Sequence, residues 1–157
     1  ADITAVTRRF YREWDEAAYR HYLEVFELDE GKRVNQLSAG MRVKYAIALA
    51  LSHRAELLIL DEPTSGLDPV ARDDLLELVL VLARREGRSI LFSTHITSDL
   101  EKCADDITYI KNGSVLASAD KDSFYRSFQH LLAPGESGPL TLEEIMVRTE
   151  RRGYHDL

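Results

Sequence analysis

The chain has 157 residues, the size of one domain, and its 45% hydrophobic and 30% charged content is that of an ordinary globular protein. A formal net charge of -7 argues against nucleic acid as a partner, because gripping a phosphate backbone needs a basic surface. The single Cys103 excludes an internal disulfide and fits a reducing compartment, no apolar run is long enough to span a bilayer, and the first residues show no basic-then-apolar leader pattern.

Residues 1–10 mix polar and apolar types without a clear period. From Tyr11 to Phe26 the spacing predicts a helix, with Trp14, Ala18, Tyr22 and Val25/Phe26 on one core-facing stripe. A turn follows, stopped by Gly31. In Leu37-Ser38-Ala39-Gly40-Met41, Ser38 is a good N-cap for the Ala- and Leu-rich helix that runs to Ser52, and Gly40 lets another backbone come close. The unpaired N–H groups of such a helix start can take an anion. A capped helix that binds nothing has the same pattern.

The apolar run Leu57-Leu58-Ile59-Leu60 leads straight into Asp61-Glu62 and the turn Pro63-Thr64-Ser65-Gly66. It reads as a strand buried on both faces of a parallel sheet, with the acids at its carboxyl end, where open α/β sheets bind ligands. Adjacent strand residues point to opposite sides, so the two acids have different jobs. A hard cation such as Mg²⁺ takes a carboxylate oxygen, and a hydrolytic water takes a base. The plain alternative is a strand that ends in a polar loop.

Asp68 is a plausible cap and Pro69 suits the first position of a helix that runs to about Glu86 and stops at Gly87. Ser89 to Ser93 is a second strand. A right-handed crossover makes it parallel to the first, so His95, just past its end, is expected on the same sheet edge as Asp61 and Glu62. Thr97 to Ala104 is a short helix. Ile107 to Ile110 and Ser114 to Ala119 form a hairpin around Lys111-Asn112-Gly113. Lys121 to Leu132 reads as helical, residues 134–139 as a loop, and Thr141-Leu142-Glu143-Glu144 as a capping box that opens a last helix ending near Arg152. No chemistry is assigned to this last third, whose expected role is packing or partner contact.

Three of these stretches, in this order, resemble the ATPase subunit of ABC transporters. Leu37-Ser38-Ala39-Gly40-Met41 resembles the signature LSGGQ. The strand ending in Asp61-Glu62, continued to Asp68, resembles the Walker B strand and D-loop, and Ser93-Thr94-His95 resembles the switch histidine loop. The likeness covers about Tyr11 to Ala119. It implies an α/β, partial P-loop NTPase fold: a mainly parallel sheet flanked by helices, with a helical subdomain and a C-terminal hairpin. Residues 1–52 would then belong to the helical subdomain, 53–119 to the RecA-like core, and 120–157 to a C-terminal helical tail. The cofactors implied are ATP and Mg²⁺. By the same likeness Asp61 would hold Mg²⁺ through water, Glu62 would polarise the attacking water, and His95 would contact the γ-phosphate. Ser38 and Gly40 would clamp the γ-phosphate of a nucleotide on a second ATPase subunit, and Asp68 would cross that head-to-tail interface. Transmembrane permease subunits would hold the pair on the cytoplasmic face of the membrane. The tail with Leu142-Glu143-Glu144-Ile145 looks most like export-type subunits.

The departures matter too. Ala39 and Met41 replace the usual Gly and Gln of the signature. No G-x-x-x-x-G-K-[ST] phosphate cradle exists: Gly31-Lys32 is followed by Arg33, and Phe26 stands where the first Gly belongs. The glutamine loop and the adenine-stacking aromatic are not recognisable. The chain is therefore expected to be the carboxyl-terminal part of a nucleotide-binding domain that alone neither binds ATP tightly nor hydrolyses it. In the family's sheet the P-loop strand lies beside the Walker B strand; an apolar edge left open there is expected to drive self-association or strand exchange between copies. The competing readings are an ABC-type ATPase that moves no solute and a module lacking Walker A that donates its signature loop to a complete subunit. Intact Glu62 and His95 argue against a pure donor.

Overall fold

The computed structural model describes residues 3–151. Two units divide the chain, Ala1–Thr94 and His95–Leu157. The first carries helices α1 (Ile3–Phe10), α2 (Glu16–Val25), α3 (Ala39–Ser52) and α4 (Pro69–Arg85), with strands β1 (Leu57–Asp61) and β2 (Ser89–Ser93). The second carries α5 (Thr97–Cys103), the hairpin β3 (Asp106–Lys111) and β4 (Ser114–Asp120), α6 (Lys121–Ser127) and α7 (Leu142–Arg151).

One apolar core runs through the first unit. Tyr19 and Leu23 of α2, Ile47 and Leu51 of α3, Leu58 of β1 and Leu75 and Leu82 of α4 are buried together. The helix expected from Tyr11 begins later, at Glu16, because Asp15 caps it: its carboxylate accepts the Ala18 N–H at 3.0 Å. Trp14 sits just before the cap, packs against the core, and its indole N–H donates to Glu16 at 2.9 Å.

The first residues form a helix that the sequence did not reveal. α1 buries a threonine: the Thr4 hydroxyl bonds to Tyr19 Oη at 3.1 Å and Tyr45 Oη at 2.7 Å. Meanwhile Ile3, Val6 and Phe10, at helical spacing, are exposed. The polar side faces in and the apolar side faces out, so hydrophobic patterning points the wrong way.

β1 and β2 pair in parallel, from Leu57 opposite Ser89 to Asp61 opposite Ser93. The expectation of a strand buried on both faces does not hold for the first unit. Leu58 is 4% exposed, but Ile59 is 69% and Leu91 61%. Alternation sends Leu58 into the helical core and Ile59 to the other side. An apolar strand can be covered on two faces; only what packs on it decides whether it is. α4 starts and stops as expected, with Asp68 as N-cap, Pro69 in the first turn, Glu86 as C-cap and Gly87 at φ +65°.

In the second unit Ile107, Phe124, Phe128, Leu140, Leu142 and Ile145 form the core. Asn112 and Gly113 both adopt positive φ, 49° and 76°, the turn that matches strand twist. The capping box is formed reciprocally: the Glu144 N–H donates to Thr141 Oγ1 at 3.2 Å, and the Thr141 N–H to Glu144 Oε2 at 2.8 Å. α6 ends at Ser127 and gives way to a 3₁₀ turn at Gln129–Leu131 rather than running on to Leu132. The expected end of α7 at Arg152 lies outside the described residues.

The loop between α6 and α7 is tied down by Arg148, which donates to Glu136 Oε2 at 2.6 Å and to the Leu131 carbonyl at 3.0 Å. The guanidinium holds the Glu136 carboxyl below its ordinary 4.5. The Thr141 backbone N–H and then its hydroxyl do the same for Glu144. A carboxyl depressed in the folded state stabilises the fold above its unfolded pKa and loses that contribution as pH falls through its folded value. The melting temperature of the chain is therefore expected to fall as pH drops below 4.5, and the paired substitution Glu136→Gln, Glu144→Gln to flatten that slope. Thermal melts followed by circular dichroism between pH 7 and pH 3 measure both; an unchanged slope would show that these contacts do not persist in solution.

Candidate functional site

The two acids at the end of β1 are set by the last pair of the parallel ladder. Ser93 stands opposite Asp61. Its hydroxyl donates to Asp61 Oδ1 at 2.5 Å, within the range of a charge-assisted bond. The Glu62 N–H is shared between the Ser93 carbonyl at 3.0 Å and the Ser93 hydroxyl at 3.3 Å. Asp61 is exposed and Glu62 half-buried. Glu62 also has φ +46°. The other described non-glycine residues at positive φ have local reasons: Glu27 and Arg54 follow the C-caps of α2 and α3, and Asn112 sits in the hairpin turn. Neither reason applies to Glu62. Left-handed backbone without a helix end or hairpin to require it costs about 1–3 kcal/mol and clusters at functional sites.

Beyond Glu62 the chain turns tightly: the Ser65 N–H donates to the Glu62 carbonyl at 3.1 Å and the Leu67 N–H to the Thr64 carbonyl at 3.2 Å. Thr64 is 1% exposed. The turn delivers Asp68, whose Oδ1 accepts the N–H groups of Val70 and Ala71, each at 3.1 Å. Ser38 caps α3 in the same way, accepting the Met41 N–H at 3.2 Å. Such caps are worth about 1 kcal/mol each. Gly40 has a packing reason. A Cβ there would lie 3.4 Å from Ala71 Cβ and 4.0 Å from Leu67 Cδ2, so the starts of α3 and α4 meet side by side. What comes close to Gly40 in the first unit is side chain, not the backbone expected from the sequence.

Asp61, Glu62 and Ser93 are thus brought together, and Gly40 is brought to the helix that Asp68 caps. His95 opens the second unit, two residues beyond Ser93 in the chain. It is exposed and lines a cavity of about 420 Å³ with Glu143, Met146 and Val147 of α7. Sequence reasoning named Ser93 only as part of a motif. The signal was there: two five-residue strands in register place the last residue of one against the last residue of the other.

The donor set can be tested against the implied cofactors. Mg²⁺ takes oxygen ligands, keeps several waters, and needs only one or two protein carboxylates beside substrate phosphates. Exposed Asp61 fits that. Among the described residues no three His, Cys, Asp or Glu side chains gather as a metal cage. For ATP, the residues present supply carboxylates and helix starts but not the G-x-x-x-x-G-K-[ST] loop that cradles nucleotide phosphates.

Comparison with known proteins agrees with this geometry. Residues 1–98 match the family model described as "AAA domain, putative AbiEii toxin, Type IV TA system". The chain is 33% identical over 121 residues to the energy-coupling factor transporter ATP-binding protein EcfA2 of Halalkalibacterium halodurans, an alignment covering 77% of this chain and 43% of that protein. It is 42% identical over 85 residues to the bacitracin transport ATP-binding protein BcrA of Bacillus licheniformis, covering 54% of this chain and 28% of the other. The chain thus spans less than half the length of either relative. Among solved structures, the ATP-binding cassette MJ0796, a dimer in a post-hydrolysis state bound to ADP and Pi, superposes with a TM-score of 0.57 at 27% identity, over 66% of this chain and 46% of that one. The parallel strand pair ending in two acids, the capped helices beside it and these matches converge: the chain belongs to the family of this AAA-domain model, its relatives and structural neighbours are ATP-binding subunits of ABC transporters, and it has their α/β P-loop NTPase fold.

Proposed function

We infer that this chain supplies the metal-holding and water-activating part of an ATP-hydrolysing cassette that drives an ABC transporter of the export type. The observation that carries the reading is Glu62, held in left-handed backbone at the end of β1 by Ser93, next to an exposed carboxylate. Asp61 would hold Mg²⁺ through water. When bound, that ion supplies charge neutralisation at the phosphates. Glu62 orients and deprotonates the attacking water, and its half-buried position limits competing solvent. His95 senses the γ-phosphate. Ser38 and Gly40, at the start of α3, offer N–H groups to the γ-phosphate of a nucleotide on a second subunit, and Asp68 crosses that interface. In this division of labour residues 1–52 signal to partners, 53–119 do chemistry, and 120–157 pack the tail.

The dimer of MJ0796 supports a second ATPase subunit as partner. The names of EcfA2 and BcrA support a membrane transporter, with bacitracin transport favouring export. On that likeness, transmembrane permease subunits would anchor the cassette at the cytoplasmic face; among the described residues no helix is long and apolar enough to cross a membrane. The outward stripe Ile3, Val6 and Phe10 of α1 suits contact with such a subunit.

The test is turnover by a cassette in which this chain follows a P-loop-bearing segment. ATP hydrolysis lost on Glu62→Gln supports the reading; hydrolysis retained overturns it. The bare face of the parallel strands carries a second expectation. Exposed Leu57, Ile59 and Leu91 should make copies of the isolated chain associate, and Ile59→Lys should shift them toward monomer in light scattering. A monodisperse monomer for the parent chain would refute self-association.

A further inference from the structure

We propose that Ser93 is the positioning residue of the metal-holding carboxylate: one hydroxyl, reached across the strand pair, orients the Asp61 side chain and the Glu62 backbone together. The proposal rests on the reading that Asp61 holds the cation. A serine hydroxyl has one proton to give and two lone pairs to offer. Here the proton goes to Asp61 Oδ1 at 2.5 Å, and a lone pair takes the Glu62 N–H at 3.3 Å. With its single donor committed to the carboxylate, the hydroxyl sets the rotation of the Asp61 side chain while leaving that exposed group open to a cation. The same oxygen reinforces the bond from Glu62 N–H to the Ser93 carbonyl, at 3.0 Å, where the backbone turns left-handed. The two acids are thereby held as one unit by a residue 31 positions away from Glu62. Groups that hydrogen-bond a metal-ligating carboxylate set its orientation, and removing them costs about 10–100-fold in metal affinity or activity.

The experiment uses this chain and Mn²⁺ alone as the oxygen-seeking probe. Paramagnetic broadening of the Asp61 and Glu62 amide signals is followed against Mn²⁺ concentration, with hydrogen exchange of the Glu62 amide measured beside it. Ser93→Ala is expected to raise the Mn²⁺ needed for half-broadening at least about tenfold and to speed Glu62 exchange, while Ser93→Thr, which keeps the hydroxyl, behaves as the parent. Asp61→Asn is expected to abolish the localised broadening. If Asp61→Asn leaves it intact, the metal reading of Asp61 fails whatever Ser93 does. If Asp61→Asn abolishes it and Ser93→Ala matches the parent, the positioning role alone is overturned. Should Ser93→Ala lose its dispersed amide spectrum, the near-isosteric Ser93→Cys carries the test, because a thiol donates weakly. A several-fold weaker Mn²⁺ response then supports the role, and a parent-like response refutes it.

Discussion

Glu62→Gln, in a cassette completed by a P-loop-bearing segment, is expected to lower kcat for ATP hydrolysis by about 10²–10⁴-fold, the contribution of a positioned general base. That corresponds to about 3–5 kcal/mol of transition-state stabilisation. The substitution keeps size and hydrogen-bonding shape and removes only the basic oxygen. The Glu62 N–H bonds to Ser93 are made by the backbone and survive it. Affinity for MgATP should therefore stay near the parent value, and the loss should appear in kcat rather than in binding. Steady-state hydrolysis beside calorimetric MgATP titration separates the two. The isolated chain is the control: without a phosphate cradle it should show neither micromolar MgATP binding nor turnover above background. Binding or turnover by the isolated chain would mean that other residues here grip the phosphates.

Leu75→Ala is expected to destabilise the first unit by about 2–5 kcal/mol, the range for a buried leucine truncated in a close-packed core. Leu75 is 1% exposed and shares its core with Tyr19, Ile47, Leu51, Leu58 and Leu82, so three other elements pack into the core it fills. Against a total domain stability of about 5–15 kcal/mol, that is a large fraction. Ile59→Ala in β1, at 69% exposure, should stay within about 0.5 kcal/mol when both proteins are measured dilute enough to be monomeric. The chain's single tryptophan, Trp14, packs against this core, so its fluorescence in a urea titration reports the first unit directly. Equal costs for the two substitutions would contradict the one-sided packing of the strands.

What could be read from the sequence was whatever closes within a few residues. Ser38, Asp68 and Thr141 cap helices through bonds to N–H groups two or three positions on, and Asn112-Gly113 turns a hairpin by its own backbone preference. The parallel pairing of β1 and β2 was legible too, because a helix between two strands leaves one handed route back. Family likeness followed from three short motifs in their order and spacing. Contacts between distant residues were not legible. Thr4 is buried because two tyrosine hydroxyls, 15 and 41 positions away, pay its desolvation, and no local pattern announces that. Ile59 is exposed because helices cover only the Leu58 side of the strand, and apolar content says what can be buried, not what lies against it. The union of Asp61, Glu62 and Ser93 needed the strand register, since hydrogen bonds reach about 3 Å and only the folded ladder brings those atoms that close.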